Sequence, residues 1–340
     1  MTVDSIERIR MVHGAGGQES SALIGELFAK RLSNPFLDRM EDAAVLPSPA
    51  NPASNLVFTT DAFVVTPYRF PGGDIGRLAV CGTVNDMLMM GAKPLWLSAA
   101  FILEEGLPVR DLEEIVDSMA VAAREAGVLV VAGDTKVVGA QDREPGLFIA
   151  TSGIGLRGAA SPAPTAAGAR PGDVLLLSGP LGDHHACILA ARSGIALPVP
   201  SDCAPLVGPV SALLESGVEI RSLRDVTRGG LATIAGEIAS SSHCGLLLDE
   251  ESLPVRPEIR AFCDLLGLDP LTMGNEGRFV AVVPERDEAD ALSALRSHPL
   301  SAGAVRVGRF DERSGVRMRT ALGTTRFVEA LSGEGLPRIC

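Results

Sequence analysis

The sequence predicts a mixed α/β (α+β) protein of two domains. Short apolar runs alternate with amphipathic stretches along the chain, and 340 residues with 46% hydrophobic content suffice for two packed cores. An alanine-, proline- and glycine-dense stretch between Arg157 and Gly172 interrupts the pattern. The expected division is 1–156, then 157–325, then a flexible tail, 326–340, whose glycines and prolines oppose regular structure.

The elements follow in order. His13-Gly14-Ala15-Gly16-Gly17 leads into an expected helix from Glu19 to Leu32. Gly16 and Gly17 let backbone N–H groups turn toward an anion at a helix start, with an ordinary turn as the competing reading, because the P-loop pattern is missing. Strands are expected at Ala43–Leu46 and Leu56–Thr60, then an apolar helix from Ile75 to Met90. Asp111–Ala126 is the clearest helix: Leu112, Ile115, Val116, Met119, Ala120 and Ala123 keep i, i+3, i+4 spacing. Asp111 with Glu114 resembles a capping box, and Gly127 ends the helix. Val128–Val131 reads as a buried strand running into Gly133-Asp134-Thr135-Lys136. Further strands are expected at Leu147–Ser152, Val174–Leu177, Gly245–Leu248, Phe279–Val283, Ala304–Phe310 and Val316–Arg319.

A net charge of −12 argues against a nucleic-acid surface and against docking on anionic lipid. Six cysteines without a C-x-x-C pair read as reduced thiols in a cytoplasm. No apolar run approaches the roughly 20 residues of a membrane span, and the charged first residues do not open a signal peptide.

The chemistry gathers on carboxylates. Asp42 opens one apolar run, Asp61 closes another, Asp134 follows a third, Asp225 sits in Arg224-Asp225-Val226-Thr227-Arg228, and Asp86, beside Asn85, lies in an apolar helix. A carboxylate in an apolar stretch is costly unless it is paired or bound to metal, and such oxygen-rich sets suit Mg²⁺. Each alone reads first as a cap or turn residue; together they point to a metal–phosphate site. Lys136 reads singly as a partner of Asp134, Glu276 as a solvated turn, and Gly182-Asp183-His184-His185 as a helix entry. The chain ends on Cys340, a thiol on a tether. The residues alone describe an Mg-nucleotide enzyme with a tethered thiol.

The chain resembles the HypE family of hydrogenase-maturation carbamoyl dehydratases, in the aminoimidazole-ribonucleotide-synthetase-like (PurM-like) superfamily. The resemblance rests on the His13–Gly17 loop, Phe70 to Gly76, Cys81 to Pro94, Phe101 to Gly106, Gly133 to Lys136, Asp225 to Gly230 and the terminal Pro337-Arg338-Ile339-Cys340. His185 departs from it, standing where the family has glycine. The resemblance implies a homodimer whose N-terminal sheets join into a barrel, with ATP near the interface. It implies Asp42, Asp61, Asp86 and Asp225 as Mg²⁺ and phosphate-site residues, with Asn85, Asp134 and Arg228 close by. It also implies a carbamoyl group placed on Cys340 by the carbamoyltransferase HypF, ATP-dependent dehydration to a thiocyanate, and transfer of cyanide to iron on HypC–HypD. Two N–H protons must leave, which gives Lys136 and Glu276 a purpose as bases or relays. Left open are another superfamily enzyme, such as a small-molecule kinase or an amidine-forming synthetase, and a nucleotide-regulated binding module with a docking tail.

Overall fold

The computed structural model describes residues 18–23, 35, 37–47, 51, 53–139, 145–159 and 162–329. Cys340, Gly16, Gly17, most of the expected Glu19–Leu32 helix and the tail beyond 329 lie outside the described residues. A short helix α1 (Gln18–Leu23) precedes strands β1 (Ala44–Pro47) and β2 (Ser54–Phe63) and the small ribbon β3 (Arg69–Phe70) and β4 (Gly73–Asp74). Then come α2 (Ile75–Met89), β5 (Lys93–Glu104), α3 (Val109–Ala126), β6 (Leu129–Val138) and β7 (Leu147–Gly158). The five long strands make one sheet in the order β1-β2-β7-β5-β6, antiparallel except for β5 with β6.

Alternation along β2 and β7 turns Val57, Phe63, Leu147 and Ile149 to one face, and α2 packs there. The Asp74 carboxylate caps α2, accepting from Arg77 N at 2.9 Å. The expected capping box at Asp111 does not form. Helix α3 begins two residues earlier, after Pro108, and Asp111 instead accepts from the Tyr68 hydroxyl at 2.6 Å and Arg69 at 2.8 Å. Gly127, at φ 69°, closes the helix as expected.

Two corrections concern strand ends. Asp61 lies inside β2 and Asp134 inside β6, because both strands pair for longer than their apolar runs suggest. The expectation of a buried strand at Val128–Val131 holds only for Val128: every residue of β6 is exposed, for β6 is the edge of its sheet among the described residues.

The second half supplies β8 (Asp173–Leu177), α4 (Asp183–Ser193), α5 (Val207–Glu215), β9 (Ser222–Asp225), α6 (Gly230–Ser241), β10 (Gly245–Asp249) and α7 (Pro257–Leu266). It continues through β11 (Phe279–Pro284), α8 (Glu288–Arg296), β12 (Val305–Asp311), β13 (Val316–Arg319) and β14 (Thr325–Phe327). The sheet order is β14-β13-β10-β12-β8-β11-β9, and β8, β9 and β11 are buried throughout. Pairing with β13 holds the chain in a strand as far as Phe327, beyond position 326 where the tail was expected to begin.

The two halves share a core. Ile75, Met87 and Cys81 belong to one apolar cluster with Cys203, Leu206 and Phe279. The loop before α2 docks on the second half: Ser201 N donates to Pro71 O at 2.8 Å, and the Phe70 ring meets His184 edge-on at 5.3 Å. This seam fixes the geometry of the site.

Candidate active site

A cavity of about 460 Å³ opens where the two halves meet. The first half contributes Asp42, Thr59, Asp61, Gly82 and Asp86; the second contributes Arg224, Asp225, Thr227, Arg228, Glu237 and Glu276. Local structure explains the convergence. Thr59 and Asp61 share a face of β2 by the two-residue period, Ala44 pairs with Phe58 and so sets Asp42 beside Thr59, and Gly82 and Asp86 lie one turn apart on α2. Asp225 ends β9, after which Gly229 and Gly230, at φ 76° and 62°, swing the chain into α6 with its first turn against the cavity. A non-glycine residue rarely takes either angle.

The walls crowd negative charge. The Thr59 hydroxyl lies 2.9 Å from Asp86 Oδ2 and 3.2 Å from the Asp42 carbonyl oxygen, so its one proton serves both. Arg224 crosses the seam to Asp42 at 2.9 Å and pairs within its own half with Glu237 at 2.9 Å. Asp42 Oδ2 is buried without a hydrogen-bond partner. Burial pushes the Asp42 carboxyl up to about 8, against the pull of Arg224, with Asp225 adding to the rise. Asp225 rises to about 6 and Asp61 also rises, both mainly by burial. Asp86 is held well above the usual range by burial and then by Asp225, Asp61 and Asp42. Glu276 is raised by burial, then by Asp225 and Asp61, with Arg228 opposing. Carboxylates outnumber the two arginines, Arg224 and Arg228, on these walls, and hard oxygen donors of this kind suit a magnesium ion. Among the described residues no three acidic, histidine or cysteine side chains converge on one point. Magnesium does not require such a cluster, because it keeps several waters and takes one or two carboxylates plus phosphate oxygens.

Of the residues expected in the site, Asp42, Asp61, Asp86, Asp225, Arg228 and Glu276 line this one cavity. Glu276 is therefore no solvated turn; it is buried, because the seam folds over it. Asn85 stands behind the wall: its amide donates to Ala204 O at 3.2 Å and Glu276 O at 3.4 Å, and its oxygen accepts from Leu206 N at 2.9 Å. Asp134 and Lys136 do not line the cavity. They sit on exposed β6, paired with each other at 2.7 Å. His184 is buried in the seam, 2.7 Å from Ser201 Oγ, and is not among the lining side chains. Arg224, Thr59 and Glu237 were not foreseen. Arg224 carried one readable signal, its position directly before Asp225; the other two carried none.

A two-domain fold with an acidic cavity at its seam defines a class, and the comparisons agree. The chain matches the family of AIR synthase related proteins, its N-terminal domain over residues 40–156 and its C-terminal domain over 170–320. Within that class the chain belongs to the HypE family. It is 51% identical to the carbamoyl dehydratase HypE of Rhodobacter capsulatus, over 98% of each chain. Among solved structures it is similar to a chain of a HypE–HypF complex (TM-score 0.85, 45% identity, 91% of this chain and 100% of that one). It is also similar to HypE in complex with ATP (TM-score 0.80, 45% identity, 98% of this chain and 100% of that one).

Proposed function

We propose that the protein is an ATP-dependent carbamoyl dehydratase of nickel–iron hydrogenase maturation, which removes water from an S-carbamoyl group on its own Cys340 to leave a thiocyanate. The observation that carries this reading is the acidic cavity at the seam, in a chain half identical to a carbamoyl dehydratase. ATP is the second substrate, as the likeness to an ATP-bound HypE supports. Asp42, Asp61, Asp86 and Asp225 are the residues that would hold Mg²⁺, one or two directly and the others through its waters, and the ion would supply charge neutralisation at the phosphates. The first turn of α6 and Arg228 face the same space and attract phosphate oxygens.

An amide oxygen is a poor leaving group, so it must be activated. The carbamoyl oxygen attacks the γ-phosphorus of ATP, ADP departs, and one N–H proton is lost as an S–C(=NH)–O–phosphate forms. The C–O bond then breaks toward phosphate, the second N–H proton leaves, and S–C≡N remains. Glu276, raised by burial, is a strong base once ionised and takes one proton. Lys136 is the second relay. It is exposed in a single chain, and a relay lysine needs desolvation. A homodimer meets that need: pairing the exposed Leu129, Val130, Val131, Val137 and Val138 of β6 with a second copy removes an apolar edge from water.

HypF supplies the carbamoyl group, in keeping with the likeness to a HypE–HypF complex, and HypC–HypD accepts the cyanide. The five thiols among the described residues are buried and unbridged, which supports a reducing, cytoplasmic setting. No described helix is long and apolar enough to cross a membrane. The test is to incubate the protein with HypF, a carbamoyl donor, ATP and Mg²⁺ and to weigh the C-terminal peptide. A carbamoyl adduct that loses one water only with ATP is expected, and Cys340→Ala abolishes it while keeping ATP binding. An adduct that never loses water, or undiminished turnover of a free substrate by Cys340→Ala, overturns the reading.

A further inference from the structure

The loop that carries Glu276 is tied down by a segment with no role in the chemistry so far. Residues 201–206 run between the halves, and all but Asp202, whose backbone is partly exposed, are buried. Ser201 N bonds Pro71 O, the Cys203 carbonyl accepts from Arg77 Nε at 3.0 Å, and Asn85 bonds Ala204 and Leu206. At its centre the Asp202 side chain is 1% exposed. Its Oδ1 accepts from Glu276 N at 3.1 Å and its Oδ2 from Asn275 Nδ2 at 2.9 Å, with Arg278 Nε at 3.6 Å. Asn275 in turn accepts from Gly182 N at 3.1 Å. Next to Glu276, a Cβ at Gly277 would overlap the Asp202 carbonyl oxygen, so the two backbones are in direct contact.

A burial this complete needs a reason, since a carboxylate is costly to desolvate and both oxygens here are spent on one loop. The Glu276 side chain supplies that reason: among the described residues no hydrogen bond holds its carboxylate, so only its main chain aims it into the cavity. We propose that Asp202 is a positioning residue for Glu276, fixing the base through its N–H and through Asn275, so that removing the Asp202 charge costs turnover and spares nucleotide binding. The proposal rests on the reading of Glu276 as a base.

The experiment uses full-length protein, S-carbamoylated by HypF, with thiocyanate formation followed by mass in single-turnover runs and ATP binding followed by calorimetry. Asp202→Asn keeps the shape and loses the charge, and should lower the dehydration rate about 10–100-fold with ATP affinity within about twofold of the parent. Asp202→Glu should recover part of the rate. In a double-mutant cycle, Asp202→Asn should add nothing to the loss already caused by Glu276→Gln, because it acts through that residue. Losses that multiply in the double variant overturn the proposal, as does an undiminished rate in Asp202→Asn, or ATP affinity falling in step with rate. An undiminished rate in Glu276→Gln alone instead removes the base assignment beneath it.

Discussion

The two sheets of this protein end differently. In the second half, β8, β9 and β11 are buried residue by residue, and full exposure is confined to the three-residue edge strand β14. In the first half the sheet stops at β6, whose Leu129, Val131 and Val137 are each at least 60% exposed. The second half is therefore the more complete as a single chain, and the first offers a longer apolar edge of a kind that proteins rarely leave in water. The same contrast divides the acidic residues. The cavity aspartates are raised by burial, whereas Asp134 on β6 is lowered, first by its bond to Lys136 and then by the Thr135 amide. The cavity carboxylates are pushed toward their protonated forms by burial and by one another, whereas the β6 pair is a solvent-exposed ion pair.

The largest effect should fall on the complete side. Phe279→Ala empties a fully buried position on β11 and should cost about 3–5 kcal/mol in denaturant unfolding, whereas Val131→Ala on β6, measured at concentrations where the protein is monomeric, should cost within about 0.5 kcal/mol. Comparable losses at the two sites would erase the contrast. Next in size is assembly. Val131→Asp places a charge on the edge and should halve the mass seen by light scattering while leaving circular dichroism unchanged, with dehydration lost alongside the dimer. A variant that remains a dimer would show that β6 is not the interface.

The smallest effect concerns pH. Asp42 has its carboxyl raised to about 8 when folded, so the folded chain holds a proton that the unfolded chain has lost between about pH 4 and 8. Stability therefore falls as pH rises through that window, and Asp42→Asn removes the penalty. Thermal melts of the nucleotide-free protein should show Asp42→Asn gaining steadily on the parent as pH rises from 5 to 8, with magnesium and ATP narrowing the gap. The exposed Asp134 has the opposite sign: its lowered carboxyl stabilises above the usual carboxylate range and loses that contribution as pH falls, so Asp134→Asn should never gain with rising pH. A pH-independent Asp42→Asn difference would contradict the burial argument.

Much of the fold was legible because periodicity and punctuation are local. Val316–Arg319 lies where its apolar run placed it, and Gly127 closes α3 through its own left-handed φ. Most carboxylates of the site were legible for a related reason: Asp86 in an apolar helix and Asp225 before Thr227 and two glycines are costly or unusual where they stand. Val128–Val131 misled because an apolar run does not report whether its strand will stand in the middle of a sheet or at its edge. Glu276 misled in the other direction: Gly274 to Gly277 has the composition of a solvated turn, and only the approach of residues 201–206 buries it. Arg224 and Asp202 act on partners 182 and 74 positions away in sequence, Asp42 and Glu276, and no local pattern announces such pairs.

By itself, then, the sequence determined the α/β class, most strands, the supply of carboxylates and the terminal thiol, since each depends on near neighbours or on composition. The tertiary structure alone decided which of those carboxylates meet, that Asn85 braces the wall from behind, that Lys136 stands outside in a single chain, and that Glu276 is buried. Those outcomes depend on contacts between distant segments at the seam of two domains, where burial and like charge set the chemistry.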